Sequence, residues 1–140
     1  MSRLLVIGCG GVASVAIHKC CQLSEVFTEL CIASRTKSKC DALKKELETK
    51  TSTKITTAQL DADHVDEIIA LINSYKPDAV LNVALPYQDL TIMDACLATK
   101  VSYIDTANYE CENTDDPEWR KVYEERCKRL GFTAYFDYSW

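Results

Sequence analysis

The sequence predicts an α/β domain in which a doubly wound parallel sheet is covered by helices on both faces, giving three layers (αβα). Three observations carry that prediction. Short apolar runs alternate with helical-period segments from end to end, a glycine-rich turn follows the first run, and nothing interrupts the alternation. Parallel neighbours need crossover connections of about a dozen residues or more, and helices supplying them cover both sheet faces.

Arg3–Ile7 is a short apolar run ending in glycine and reads as a buried strand. Over 12–23, Val12, Val15, Ala16, Cys20 and Leu23 recur at helical spacing. Leu30–Ser34 is a second buried run. Lys37–Lys50 is rich in Lys, Glu, Leu and Ala with Leu43 and Leu47 one turn apart, the pattern of a solvent-facing helix. Lys54–Ala58 predicts a third strand. Val65–Tyr75 repeats Ile68, Ile69, Leu71 and Ile72 as a helix, with Asp63 placed to cap it. Lys76-Pro77-Asp78 is a stop, and Ala79–Val83 a fourth strand. Leu90–Thr99 is a helix, Val101–Asp105 a fifth strand, and Pro117–Leu130 a charged helix ending at Gly131. No repeat, low-complexity stretch or linker divides the chain, so residues 1–140 read as one domain.

The 140 residues are 47% hydrophobic and 26% charged, an ordinary globular balance. The net charge of −5 argues against nonspecific nucleic-acid or anionic-membrane binding as the main task, while allowing a local basic cluster to hold one phosphate. The apolar stretch before Gly8 is too short for a secretory core, and no later run approaches the roughly 20 apolar residues of a membrane span. A cytoplasmic protein is the expectation. Eight cysteines fall short of the roughly 8–10% of a disulfide scaffold. No Cys-x-x-Cys occurs and the two histidines complete no zinc spacing, so no metal is expected and most thiols read as small buried apolar groups.

The strongest chemical signal is Gly8-Cys9-Gly10-Gly11-Val12-Ala13, a Gly-x-Gly-x-x-Ala immediately after a strand and opening a helix. Gly8 permits the tight turn, Gly10 lets bare backbone approach a pyrophosphate, and Ala13 allows the helix to lie close to the strand. The helix N-terminus adds unpaired amides and positive partial charge. Strand–turn–helix context lifts this hexapeptide from a weak motif to a Rossmann-type dinucleotide fingerprint. It lacks the Gly-Lys-Ser/Thr ending of a Walker-type loop.

The end of the second strand decides the cofactor. Enzymes for NAD usually place Asp or Glu there to hold the ribose hydroxyls. Here the run is Ala33-Ser34-Arg35-Thr36-Lys37. Arg35 can pair with a 2′-phosphate in a forked contact, with hydroxyls from Ser34 and Thr36 and a point charge from Lys37. NADP(H) is therefore expected over NAD, against the alternative that Arg35 and Lys37 are only solvated loop residues. Later strand ends supply weaker candidates. Asp61, in Leu60-Asp61-Ala62-Asp63, can accept from an adenine amino group or cap the next helix. Val83-Ala84-Leu85-Pro86-Tyr87 is small and neutral enough to pass under the central riboses. Asp105-Thr106-Ala107-Asn108-Tyr109-Glu110 sets polar groups near the nicotinamide position, or makes an ordinary strand-end turn. No histidine sits at this mouth with a partner, so no general base is evident.

Together Val6–Ala13, Ala33–Thr36, Leu60–Asp63, Val80–Cys96 and Tyr103–Glu110 resemble the saccharopine dehydrogenase family, within it the carboxynorspermidine (carboxyspermidine) synthase branch. The resemblance runs over essentially the whole chain. It implies an N-terminal NADP-binding domain of a longer enzyme, with a substrate domain that also pairs protomers into a homodimer. The aromatic-rich end, Thr133–Trp140, fits that expectation of an excised piece, because large apolar side chains seek a partner surface. By the same resemblance, Gly8, Gly10, Gly11, Val12 and Ala13 hold the pyrophosphate, and Ser34, Arg35, Thr36 and Lys37 the 2′-phosphate. Asp61 and Ala62 lie by adenine. Ala84, Leu85 and Pro86 lie by the nicotinamide ribose, and Asp105, Thr106 and Ala107 approach the nicotinamide. Asn108 and Tyr109 face the substrate. The implied reaction is reductive condensation of a diamine with aspartate semialdehyde. Saccharopine formation or cleavage in lysine metabolism is the alternative within the family, and a non-catalytic NADPH-sensing module the alternative outside it.

Overall fold

A computed structural model describes residues 2–84, 88–106 and 117–131. The chain divides into two compact units, Met1–Ala107 and Asn108–Trp140. The first unit contains five strands and four helices in strict alternation: β1 (Ser2–Ile7), α1 (Gly11–Gln22), β2 (Phe27–Ser34), α2 (Lys37–Leu47), β3 (Lys54–Gln59), α3 (Val65–Tyr75), β4 (Ala79–Asn82), α4 (Asp89–Thr99) and β5 (Ser102–Asp105). Described in the second unit is one helix, α5 (Pro117–Leu130). Proline stands at its first position, where no amide is needed, and Gly131 at φ +87° follows its last.

All strand pairs are parallel, in the order β3-β2-β1-β4-β5. Two crossovers lead outward from β1 through β2 to β3, and the chain then returns past β1 to begin the other half. That reversal throws the helices onto opposite faces. Leu4, Val6, Leu30, Ile32 and Ile55 pack under α1 and α2 with Ala13, Ile17, Cys40, Leu43 and Leu47. The alternate residues Leu5, Ile7, Cys31, Ala33 and Val80 pack under α3 and α4 with Ile68, Ile72, Ile92, Ala95 and Cys96. Both faces of β1 are therefore buried, which is why it reads as an unbroken apolar run and not as an alternating one. Each fully buried aliphatic side chain in it, such as Leu5 or Val6, contributes about 1.5–3 kcal/mol over an exposed position.

Three sequence expectations are corrected. The buried stripe of α1 is Ala13, Ile17, Cys20 and Cys21, whereas Val12 and Val15 are 65% and 63% exposed. The segment is apolar on two flanks, and the sheet selects the one carrying the small residues that permit close approach. Asp63 does not cap α3. The cap position is His64, which makes no side-chain capping bond, and the Asp63 carboxylate instead accepts from Gln88 Nε2 at 3.0 Å. Finally, β2 begins at Phe27, three residues before the apolar run, because Phe27 and Glu29 pair with Ser2 and Arg3 of β1 although both are half-exposed. Glu29 meets Arg3 of β1 there at 3.4 Å.

The stop at 76–78 holds. Lys76 takes the left-handed conformation (φ 54°), and the Asp78 carboxylate accepts the Arg3 amide at 2.7 Å while its own amide donates to Arg3 O. Among the described residues, no helix is long and apolar enough to cross a membrane.

Candidate functional site

In an open parallel sheet the crevice lies beyond the carboxyl ends of the strands where their order reverses, which here is between β1 and β4. Register aligns the pieces: Ile7 pairs with Ala33 on one side and Asn82 on the other, and Asn82 with Asp105. The residues that follow β1, β2 and β4 and those that end β5 therefore share one edge.

Gly8 leaves β1 at φ +121°, a conformation open to glycine alone. Its amide donates to Ala33 O, and a Cβ there would sit 2.5 Å from Val83 O and 2.6 Å from Val83 C. The turn can thus pass against the loop after β4 only with no side chain at residue 8. Gly10 caps α1 without a side-chain bond, and neither Gly10 nor Gly11 has any atom within 4 Å of where a Cβ would stand. The first intrahelical bond runs from Ser14 N to Gly10 O, which leaves the amides ahead of it facing an open hollow. Ala13 is fully buried against the sheet. Bare amides at a helix N-terminus, in a hollow cleared of side chains, fit a pyrophosphate.

At the end of β2, Ser34 Oγ donates to Thr36 O at 3.1 Å and contacts Cys40 Sγ at 3.1 Å, so it shapes the turn around Arg35. Arg35 and Thr36 are exposed. Lys37 is also exposed, but its ammonium binds both carboxylate oxygens of Asp41 at 2.9–3.0 Å, and Asp41 also accepts from Thr57 of β3. These bonds hold the Asp41 carboxyl below its ordinary range, the Thr57 hydroxyl foremost.

Beyond β3, Asp61 Oδ1 accepts the Asp63 amide at 3.1 Å and its own amide donates to Glu67. It shapes the turn before α3 without capping the helix, whose cap position is His64, and its carboxylate is part-exposed. Ala62 is 3% exposed and its side chain belongs to the α3/α4 core. Beyond β4, the Ala84 amide donates to Asn82 Oδ1 at 3.0 Å. At β5, Asn82 Nδ2 donates to the Tyr103 hydroxyl at 3.0 Å, which donates to Asp105 Oδ2 at 2.6 Å. Burial, then the bond to Asp105, pushes the Tyr103 phenol far above its usual range, so it remains a donor. Thr106 is exposed at the end of this strand. Leu85, Pro86, Ala107, Asn108 and Tyr109 lie outside the described residues.

Asn82 and Tyr103 were not singled out as site residues in the sequence. The available signal was a polar Asn at the end of an otherwise apolar strand, where burial (4% exposed) demands partners. The thiols bear out the apolar reading. Burial raises Cys20, Cys21 and Cys31, pushes Cys96 up to about 12, and, with Cys40 adjacent, pushes Cys9 up to about 11. A neutral Cys9 thiol therefore stands beside the hollow, with no charge to repel phosphate. Cys111 lies outside the described residues. His18 is engaged by Ser14 O and Glu46, away from the crevice. No cluster of His, Cys, Asp and Glu that would hold a metal occurs among the described residues.

Comparison with known proteins agrees with this geometry. The model of the saccharopine dehydrogenase NADP binding domain matches residues 4–134. Carboxyaminopropylagmatine dehydrogenase of Synechocystis is 43% identical over 136 residues, covering 96% of this chain and 33% of that protein. Carboxynorspermidine synthase of Vibrio alginolyticus is 36% identical over 142 residues, covering 94% of this chain and 34% of its own. Among solved structures, apo saccharopine dehydrogenase (L-Glu forming) of Saccharomyces cerevisiae shares the fold, with a TM-score of 0.67 at 17% identity over 95% of this chain and 26% of that one. The chain thus spans about a third of the length of the curated relatives it matches. With its glycine turn and doubly wound sheet, the chain belongs to the saccharopine dehydrogenase NADP-binding domain family and binds NADP(H).

Proposed function

We propose that this chain is the cofactor-holding domain of a cytoplasmic oxidoreductase that reductively condenses a diamine with aspartate semialdehyde to give a carboxylated polyamine. The observation that carries the reading is the hollow at the N-terminus of α1, cleared by Gly10 and Gly11 and braced by the contact of Gly8 with Val83. The names of the curated relatives favour carboxypolyamine chemistry over saccharopine turnover.

In this reading the amides of Gly11, Val12 and Ala13 bind the pyrophosphate, and Ala13 keeps α1 close to the sheet. Arg35 holds the 2′-phosphate, and Ser34 and Thr36 fix the turn that presents it. Asp61 lies toward the adenine side, with Ala62 packed beneath that loop. Asn82 holds the Ala84 amide, and Ala84 lies by the nicotinamide ribose, a role the family resemblance extends to Leu85 and Pro86. Asp105, clamped by Tyr103, and Thr106 border the nicotinamide; the roles assigned to Ala107 there and to Asn108 and Tyr109 toward substrate rest on the family resemblance alone. The bound cofactor supplies the hydride; the protein positions it and excludes water. Substrate-binding groups and a homodimer contact would come from the portion of the relatives that this chain does not span.

Titration of the chain with NADPH and NADH tests the site. Tighter binding of NADPH is expected, and Arg35→Ala should remove about 1–3 kcal/mol from NADPH binding with little effect on NADH. Equal affinities for the two cofactors in the unmodified chain would remove the assignment of Ser34–Lys37.

A further inference from the structure

A dinucleotide on this sheet edge has a direction. With its pyrophosphate at the turn after β1 and its 2′-phosphate at Arg35 beyond β2, its other half extends across β4 toward β5, on the far side of the order reversal. Asp105 ends β5 in register with Asn82, and Asn82 in register with Ile7. Asp105 therefore stands two strands from β1, about 10 Å along the edge. The side chains there form a hydrogen-bonded chain with one polarity. The Ala84 amide can only donate, so it fixes Asn82 with Oδ1 toward Ala84 and Nδ2 toward Tyr103. Tyr103 Oη accepts from Nδ2, and its single proton goes to Asp105 Oδ2 at 2.6 Å. Burial holds the phenol far above its usual range, so it stays a neutral donor. Asp105 is part-exposed. Among the described residues its other oxygen has no hydrogen bond, and no Lys or Arg pairs with the carboxylate. One negative charge is thus anchored through one oxygen and left open at the other.

Resting on the NADP reading above, we propose that the Asp105 carboxylate selects the oxidation state of the cofactor, binding the oxidised nicotinamide in preference to the reduced one, with Tyr103 and Asn82 as its positioning residues. The cofactor supplies a hydride, an electron pair with its hydrogen, to the substrate carbon, and its ring carries one positive charge more after the transfer than before. A carboxylate already fixed at that end of the crevice stabilises the charge as it develops, and so favours reduction of the substrate. Tyr103 and Asn82 act through Asp105: they occupy one oxygen and leave the other aimed by the strand end.

The test is calorimetric titration of the 140-residue chain and its variants with NADP⁺, NADPH and 2′,5′-ADP. Asp105→Asn removes the charge and keeps an acceptor for Tyr103. It should raise the Kd of NADP⁺ relative to that of NADPH by about threefold or more, and leave 2′,5′-ADP, which has no nicotinamide, within about twofold. Asp105→Glu, which keeps the charge, should hold the ratio nearer the parent's. Tyr103→Phe should move it in the direction of Asp105→Asn by a smaller factor. Because both cofactors carry the same phosphates, added salt should draw the parent's ratio toward that of Asp105→Asn. An unchanged ratio in Asp105→Asn would overturn the proposal and leave the NADP reading intact. Equal losses of NADP⁺, NADPH and 2′,5′-ADP would assign Asp105 to the fold and likewise overturn it. A parent chain that does not distinguish NADPH from NADH would overturn the NADP reading and the proposal together.

Discussion

Two glycines in one turn do different work. Gly8 combines φ +121° with a backbone carbonyl 2.5 Å from where its Cβ would be, whereas Gly10 has an ordinary φ of −92° and empty space around it. Gly8→Ala must therefore strain the backbone and push the loop after β4 away, at a cost of about 3 kcal/mol or more. Gly10→Ala should unfold within about 1 kcal/mol of the parent, yet its methyl group would enter the hollow that the phosphates need, weakening NADPH binding. Paired denaturant melts and NADPH titrations separate the two. Equal stability losses would mean the turn is not built as described. The glycine motif itself was legible in the sequence. Which glycine serves the fold and which serves the ligand was not, because that depends on Val83, which lies 75 residues further along.

Among elements, the ends of β4 and β5 depend on one chain of side-chain bonds. Tyr103 both accepts from Asn82 and donates to Asp105, and Asn82 in turn holds the Ala84 amide. Tyr103→Phe leaves two polar groups without their partner in a mostly buried setting. We expect a loss of about 1–3 kcal/mol in unfolding free energy, read from urea melts. An unchanged midpoint would show the network to be idle. The periodicity of single elements was read well: α3 matches its predicted bounds, and Leu43 and Leu47 of α2 are buried as expected. The face of α1 is not legible from periodicity, because Val12 and Val15 (i, i+3) compete with Ala13 and Ile17 (i, i+4), both helical spacings. Apolar count favours the valines, but close packing on the sheet favours the smaller residue at 13.

For the molecule as a whole, the glycine-rich turn is the cofactor site that the described residues supply. Among the described residues His18 is engaged by Ser14 O and Glu46 and His64 lies 3.9 Å from Asp61, and the thiols that shift are all pushed toward the neutral form. Mixed with putrescine, aspartate semialdehyde and NADPH, the 140-residue chain should bind cofactor without substrate-dependent loss of absorbance at the nicotinamide band. Turnover requiring both substrates would place the proton-transfer groups within this chain after all.

The sequence by itself determined the alternation of strands and helices, the parallel sheet it requires and the glycine turn after the first strand. These follow from local spacing and from the steric freedom of single residues, and neither needs knowledge of distant neighbours. Only the tertiary structure decided which flank of each helix faces the sheet and that Lys37 is held by Asp41. It also showed that Asp61 and Asp63 serve the loops around them, and that Gly8 answers to Val83. Such choices depend on groups far apart in the chain and adjacent in space, where Asp41 captures Lys37 because α2 is rotated toward Thr57 of β3.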